Sequence, residues 1–279
     1  MSRSRHQQLR AYYTTLRRAW GCPHWWPAQS RFEVIVGAYL TQNTAWTNVE
    51  RALHKLRSRR LLSVKGIRET PLPVLEESIR SAGYFRQKSQ RLKTFVKFLD
   101  QRHGGSLARM FAQPTAKLRE QLLALNGVGP ETADSILLYA GQHPVFVVDA
   151  YTRRVLDRHG ILPATAPYEE IREICQEALS DVGTDVSSTT SLRPGPDGAA
   201  RTKNAGTEHS AMPGHEHEGA HLLGTCHPPS RMSMAKRTAV AQVYNEMHGL
   251  IVGVGKNYCL KSKPKCDECP LQKFLSGVK

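Results

Sequence analysis

LNGVGPETADSILLYAGQHPVFVVD, residues 125–149, decides how the rest of the chain is read. Gly127 and Gly129 flank Val128, a composition that permits a tight turn with outward-facing backbone N–H groups. Glu131 to Ala140 then repeats apolar residues three and four apart, the period of a helix that starts at the turn. Ala116 to Leu125 reads as a helix leading into it, so the segment is two helices joined by a glycine turn. Amides at a helix N-terminus attract anions, and such a turn can hold a DNA phosphate without reading sequence. Gly127, Val128, Gly129 and Thr132 are the candidate phosphate contacts.

Twenty residues beyond Gly129, the apolar run Val145 to Val148 ends in Asp149. A carboxylate behind such a run is withdrawn from water, which is costly unless it is paired or used. Two roles fit. Asp149 precedes the apolar-periodic residues Tyr151, Val155 and Leu156, where an N-cap accepts backbone N–H bonds. The other is that the withdrawn acid is put to use.

Outward from this segment, nearly every readable stretch is helical: 31–39, 47–57, 73–82, 87–102, 116–125, 131–140, 150–159, 168–179 and 235–252. No alternating run is long enough for a strand, so the fold class is all-α. Leu9, Tyr12, Tyr13, Leu16 and Trp20 recur at helical spacing in a start rich in arginine. A basic amphipathic helix docked on the domain explains this more economically than a targeting segment. No run of roughly 18 apolar residues exists, so no membrane span is expected.

The formal charge of +15 over 279 residues is the footprint of a polyanion binder. Residues 180–238 hold six basic and six acidic side chains, so the excess belongs to the remainder. Residues 181–232 are rich in Gly, Ser, Thr and Pro and read as a disordered insertion. His209, His215, His217, His221, Cys226 and His227 lie within it, at spacings that fit no closed tetrahedral metal site well.

The hairpin LNGVG, the helix after it and the connector ending in Val148 and Asp149 resemble the helix-hairpin-helix (HhH-GPD) DNA glycosylase superfamily, whose best-known member is endonuclease III. The resemblance covers about residues 20–180 and 235–270. It implies a two-lobed helical fold. Residues 31–145 would form a six-helix domain with the hairpin at 116–141. Residues 1–30 and 146–279 would form a second helical domain ending in a cysteine loop. It also implies damaged double-stranded DNA as partner, a monomer, and a cytoplasmic, reducing setting, which the unpatterned Cys22, Cys175 and Cys226 also fit.

Members that cleave the strand carry a lysine two residues after the last hairpin glycine. Here that position is Glu131, and a carboxylate cannot form an imine. The resemblance therefore implies a base-excision-repair glycosylase that hydrolyses the glycosidic bond through Asp149, without lyase chemistry. Glu131 is otherwise a helix-N-terminal acid favoured by the macrodipole. Two alternatives stay open: a bifunctional glycosylase and abasic-site lyase for oxidised pyrimidines using another amine, and a non-catalytic DNA-binding module.

WWPAQSRFEVIVGAYLTQNTAW, residues 25–46, looks like the 3-methyladenine DNA glycosylase III branch. In that resemblance Trp26 and Trp46 sandwich an extruded base. Alkylation at N3 or N7 makes a purine cationic, and indole faces attract cations while stacking on flipped bases. Gln42 and Asn43 stand where such enzymes fill the gap left by the flipped base; otherwise they cap the next helix. Cys259, Cys266 and Cys269 match three of the four cysteines that hold a [4Fe-4S] cluster in endonuclease III-like proteins, with Leu275 at the fourth position. A cluster with a different fourth ligand, a zinc site completed by histidine and a metal-free loop all fit that pattern.

Overall fold

Hydroxyl and carboxylate caps set where the chain becomes helical. Ser30, Ser63, Ser106, Asp149 and Thr238 each accept a backbone N–H from the third residue onward. Such caps stabilise a helix by about 1 kcal/mol each. The computed structural model describes residues 2–182 and 228–275. The histidines and the cysteine singled out at 209–227 lie outside the described residues, as does most of the insertion.

Among the described residues there are twelve α-helices and no strand. They are α1 (Ser2–Trp20), α2 (Arg31–Leu40), α3 (Trp46–Ser58), α4 (Val64–Glu69), α5 (Leu72–Ser78) and α6 (Phe85–His103). The series continues with α7 (Leu107–Phe111), α8 (Thr115–Leu123), α9 (Pro130–Ser135), α10 (Ala150–Arg158), α11 (Tyr168–Leu179) and α12 (Ala239–Asn257). α9 runs straight on as a π-helical turn, Ile136–Gly141. No helix among the described residues is long and apolar enough to cross a membrane.

α2 is the centre of the packing, buried from Phe32 to Leu40 and touching α3, α6, α9 and the π-helical turn. α1 docks on α11 and α12 with Leu9, Tyr12 and Leu16 fully buried. Tyr13 donates to Glu246 Oε2 at 2.7 Å, and Arg17 pairs with the same oxygen at 2.7 Å, so the buried Glu246 of α12 is satisfied.

The connector Pro144–Asp149 is extended and has no strand partner. Side chains of α11 satisfy it instead: Gln176 Oε1 accepts from Phe146 N at 3.0 Å, and the Tyr168 hydroxyl accepts from Val148 N at 3.3 Å. Tyr168 in turn donates to Asp134, which is fully buried and held by Arg119 through two N–H bonds of 2.7 and 3.1 Å. One network thus fixes the hairpin helix and the connector relative to each other.

Two sequence expectations change. The last long helix begins at Ala239, not 235, because Thr238 caps it. The insertion ends before residue 232: Ser230, Met232 and Ser233 are buried, and Met232 N donates to Ala28 O at 3.0 Å.

Candidate active site

Asp149 performs the capping role: its Oδ1 accepts from Thr152 N at 2.7 Å. Its other oxygen, Oδ2, faces His248 Nε2 at 3.6 Å. Only 15% of the Asp149 side chain is exposed. Burial works to raise its pKa, but His248 and the Thr152 N–H outweigh that and hold it below the usual aspartate value. An ionised acid is therefore fixed at the start of α10.

Asp149 lines two adjoining spaces. One is an open cleft of about 770 Å³ between the hairpin, the α2–α3 turn and α10. The other is a narrower pocket of about 210 Å³ walled by Trp25, Trp26, Trp46, Tyr151, His248 and Lys256. Pockets for drug-sized ligands run from about 300 Å³ upward, so this one suits a single heterocycle. Glu131 lines both spaces as well. Its side chain remains exposed at the cleft surface, yet the crowding of protein around it and the Asp149 charge raise its pKa to about 7.

The hairpin forms as the sequence predicts, with one refinement. Gly127 sits at φ +79, and a Cβ there would lie 2.0 Å from Arg91 Nε, so glycine is required. Gly129 has φ −91 and open space at its Cβ position; the fold itself does not need glycine there. Val128 and Thr132 are buried.

Gln42 and Asn43 do not cap the next helix; Ala45 occupies that position and makes no side-chain cap bond. Gln42 donates to Gly127 O and to Thr132 Oγ1, both at 2.9 Å, and accepts from Arg91 at 2.7 Å. It brackets the α2–α3 turn to the hairpin. Asn43 is exposed, with φ +51.

Trp26 and Trp46 do not stand as a sandwich. Their rings are perpendicular, 88° apart with centroids at 5.1 Å. A base stacked between two rings needs parallel faces about 7 Å apart, twice an aromatic contact distance. The rings instead pack edge to face, an arrangement aromatic quadrupoles favour.

Cys259 is buried, while Cys266 and Cys269 are half-buried. Arg158 donates to Cys259 Sγ at 3.3 Å and to the carbonyls of Leu260 and Lys261. Arg154 holds the carbonyls of Cys259 and Gly255. These residues do not fit a four-thiolate [4Fe-4S] cage. The fourth position is Leu275, and no group of three or more His, Cys, Asp or Glu among the described residues is arranged to hold a metal. The loop enters no step of the chemistry below.

Sequence reasoning missed His248, Tyr151 and Lys256. The last two were readable only as an aromatic and a cation near helix ends. Also missed was Lys88, fully buried, whose amine donates to Leu40 O, Thr44 Oγ1 and Ala82 O at 2.7–2.8 Å. It ties the α2–α3 turn to the turn carrying Tyr84, which is 67% exposed at φ +45.

A glycine hairpin beside a cleft and an acid-bearing aromatic pocket define a helix-hairpin-helix DNA repair protein. Residues 36–181 match the HhH-GPD superfamily of base excision DNA repair proteins. A Methanocaldococcus jannaschii protein whose name assigns it to the DNA repair glycosylases is 34% identical over 276 residues, 98% of each chain. Endonuclease III of Thermotoga maritima is 28% identical over 150 residues, 54% of this chain and 66% of that one. Among solved structures, H. pylori 3-methyladenine DNA glycosylase (MagIII) bound to 1,N6-ethenoadenine superposes with a TM-score of 0.62 at 24% identity, covering 90% of this chain and 97% of that one. A trapped endonuclease III–DNA covalent intermediate gives 0.64 at 18% identity, covering 97% and 95%. The chain belongs to the HhH-GPD superfamily and is a base-excision-repair DNA glycosylase.

Proposed function

We propose that this glycosylase removes alkylated purines such as 3-methyladenine from damaged double-stranded DNA by hydrolysis, acting as a monomer. The observation that carries this is the pair Asp149 and Glu131: an ionised acid beside an acid that titrates near neutrality, with no amine at the hairpin position. As the glycosidic bond breaks, positive charge develops on the sugar, and a fixed carboxylate in a largely dry site stabilises it. Glu131, whose pKa is raised to about 7, accepts the proton of the attacking water.

The pocket favours a cationic, flat base. Trp25, Trp26, Trp46 and Tyr151 offer aromatic faces and edges, and the two carboxyls add negative potential. Lys256 on the same wall opposes such a base, and burial lowers its amine pKa from the ordinary lysine value. The backbone N–H groups of Gly127, Gly129 and Thr132 take a backbone phosphate, with the open side of Gly129 admitting close approach. Gln42 keeps the turn bracketed, while the exposed Asn43 and Tyr84 meet the duplex.

Lys256 favours a second reading. It is the one lysine among the described residues that lines the pocket, so a lyase would form its imine there. One experiment separates the two: purified protein on a duplex methylated at adenine N3 and on one carrying thymine glycol, each resolved with and without alkali. Methyladenine release with breaks only after alkali supports hydrolysis. Thymine glycol cleavage without alkali, trapped by borohydride, overturns it in favour of the lyase.

A further inference from the structure

Tyr139, His248 and Asp149 form a chain of contacts, with His248 and Asp149 on the pocket wall. Tyr139 Oη and His248 Nδ1 are 2.6 Å apart, and His248 Nε2 lies 3.6 Å from Asp149 Oδ2. Tyr139 is 1% exposed and His248 4%. The imidazole is packed among Trp25, Tyr139 and Phe146, with ring centroids 5.9–6.4 Å away. Yet its Nε2 is fully buried with no hydrogen-bond partner. A buried polar atom left so costs about 1–3 kcal/mol, and a native protein that tolerates one has a reason for it.

The protons can be placed one by one. Burial pushes the Tyr139 hydroxyl far above its ordinary range, so it stays protonated. If the phenol donates to Nδ1, the neutral imidazole carries its own proton on Nε2 and aims it at the carboxylate. The opposite tautomer would set a bare nitrogen lone pair against a carboxylate oxygen, two acceptors facing each other. An imidazolium carries the Nε2 proton as well, so either charge state donates to the carboxylate. At 3.6 Å the contact is longer than a hydrogen bond, which spans about 2.7–3.2 Å. Catalytic hydrogen bonds in free enzymes are often long and tighten with substrate bound.

We propose that His248, donating from Nε2 and fixed by Tyr139, is the positioning residue for Asp149. The two carboxylate oxygens are then held from different elements: Oδ1 by the Thr152 N–H of α10 and Oδ2 by His248 of α12. This orients the carboxylate plane. The inference rests on Asp149 being the catalytic acid.

The test pairs kinetics with a tautomer measurement. In excision of N3-methyladenine, His248→Phe keeps bulk and removes the donor. It should lower kcat about tenfold or more with KM for the duplex within about twofold. His248→Gln, whose amide can donate from a similar place, should recover most of the loss, and Tyr139→Phe should fall between. A kcat unchanged in His248→Phe, or a folded His248→Gln no better than Phe, would overturn the proposal. Independently, imidazole 15N shifts of the wild-type protein should report a proton on Nε2. A ring protonated at Nδ1 alone would sink it. That measurement needs no excision, so failure of the alkylpurine reading and failure of the positioning role show up in different data.

Discussion

Asp149 and Glu131 line one pocket with their pKa values pushed apart. Crowding and the Asp149 charge raise Glu131 to about 7, while His248 and the Thr152 N–H hold Asp149 low. Two acids displaced in opposite directions divide the labour of a hydrolysis. One stays an anion throughout; the other exchanges a proton at working pH.

Asp149→Asn tests the first role cleanly, because asparagine caps a helix as well as aspartate does. The melting temperature should change little and binding to lesion duplex should persist. Excision should fall by about a hundredfold or more. Retained excision would remove Asp149 from the chemistry.

Glu131→Gln tests the second through pH. Wild-type excision should rise with an inflection near pH 7 that the variant lacks. The stability sign is fixed too: a carboxyl raised from 4.5 to about 7 contributes stability below pH 4.5 that is lost as pH rises through 7. The variant should therefore gain on wild type across that window. Because water reaches this side chain, the gain should be only about 1 kcal/mol or less. Thermal melts from pH 4 to 8 measure it.

Gly127→Ala and Gly129→Ala should part company. The first forces a side chain into the left-handed region and onto Arg91, loosening the Gln42 bracket. It should cost about 1 kcal/mol or more in stability and weaken binding to all DNA sequences alike. The second meets open space, so melting should be unchanged or slightly raised. Any loss should appear only in DNA affinity, read by titration at two salt concentrations.

Lys88→Met should leave Leu40 O and Thr44 Oγ1 without the amine and Ala82 O with the Thr44 hydroxyl alone. A loss of about 3 kcal/mol or more in chemical denaturation is expected. A near-neutral result would mean that the two turns it ties can satisfy themselves.

The long helices, the hairpin and Asp149 were legible because each leaves a pattern: a period, a glycine pair, an acid closing an apolar run. α4 and α7 were not, being six and five residues long, too short to show a period. His248 was hidden for the opposite reason. It lies in a helix buried almost throughout, where a lone histidine looks like a satisfied core residue. The buried turn at Ser230–Ser233 escaped notice because small polar residues bury through hydrogen bonds that composition does not reveal. The perpendicular setting of Trp26 and Trp46 depends on side-chain torsions, which spacing cannot give.

Glycines back three of the pocket's aromatic walls. A Cβ at Gly37 would touch the Trp26 indole at 3.3 Å, one at Gly249 would reach Trp25 Cβ at 2.8 Å, and one at Gly255 would strike Tyr151 Cδ1 at 2.3 Å. Each of those rings already rests against helix backbone and has no room to retreat. Trp46 opens α3 and is only half-buried. A base entering the pocket therefore meets three aromatic walls whose positions helix backbone sets, and a single methyl added at any of these glycines would push a ring into the space the base needs.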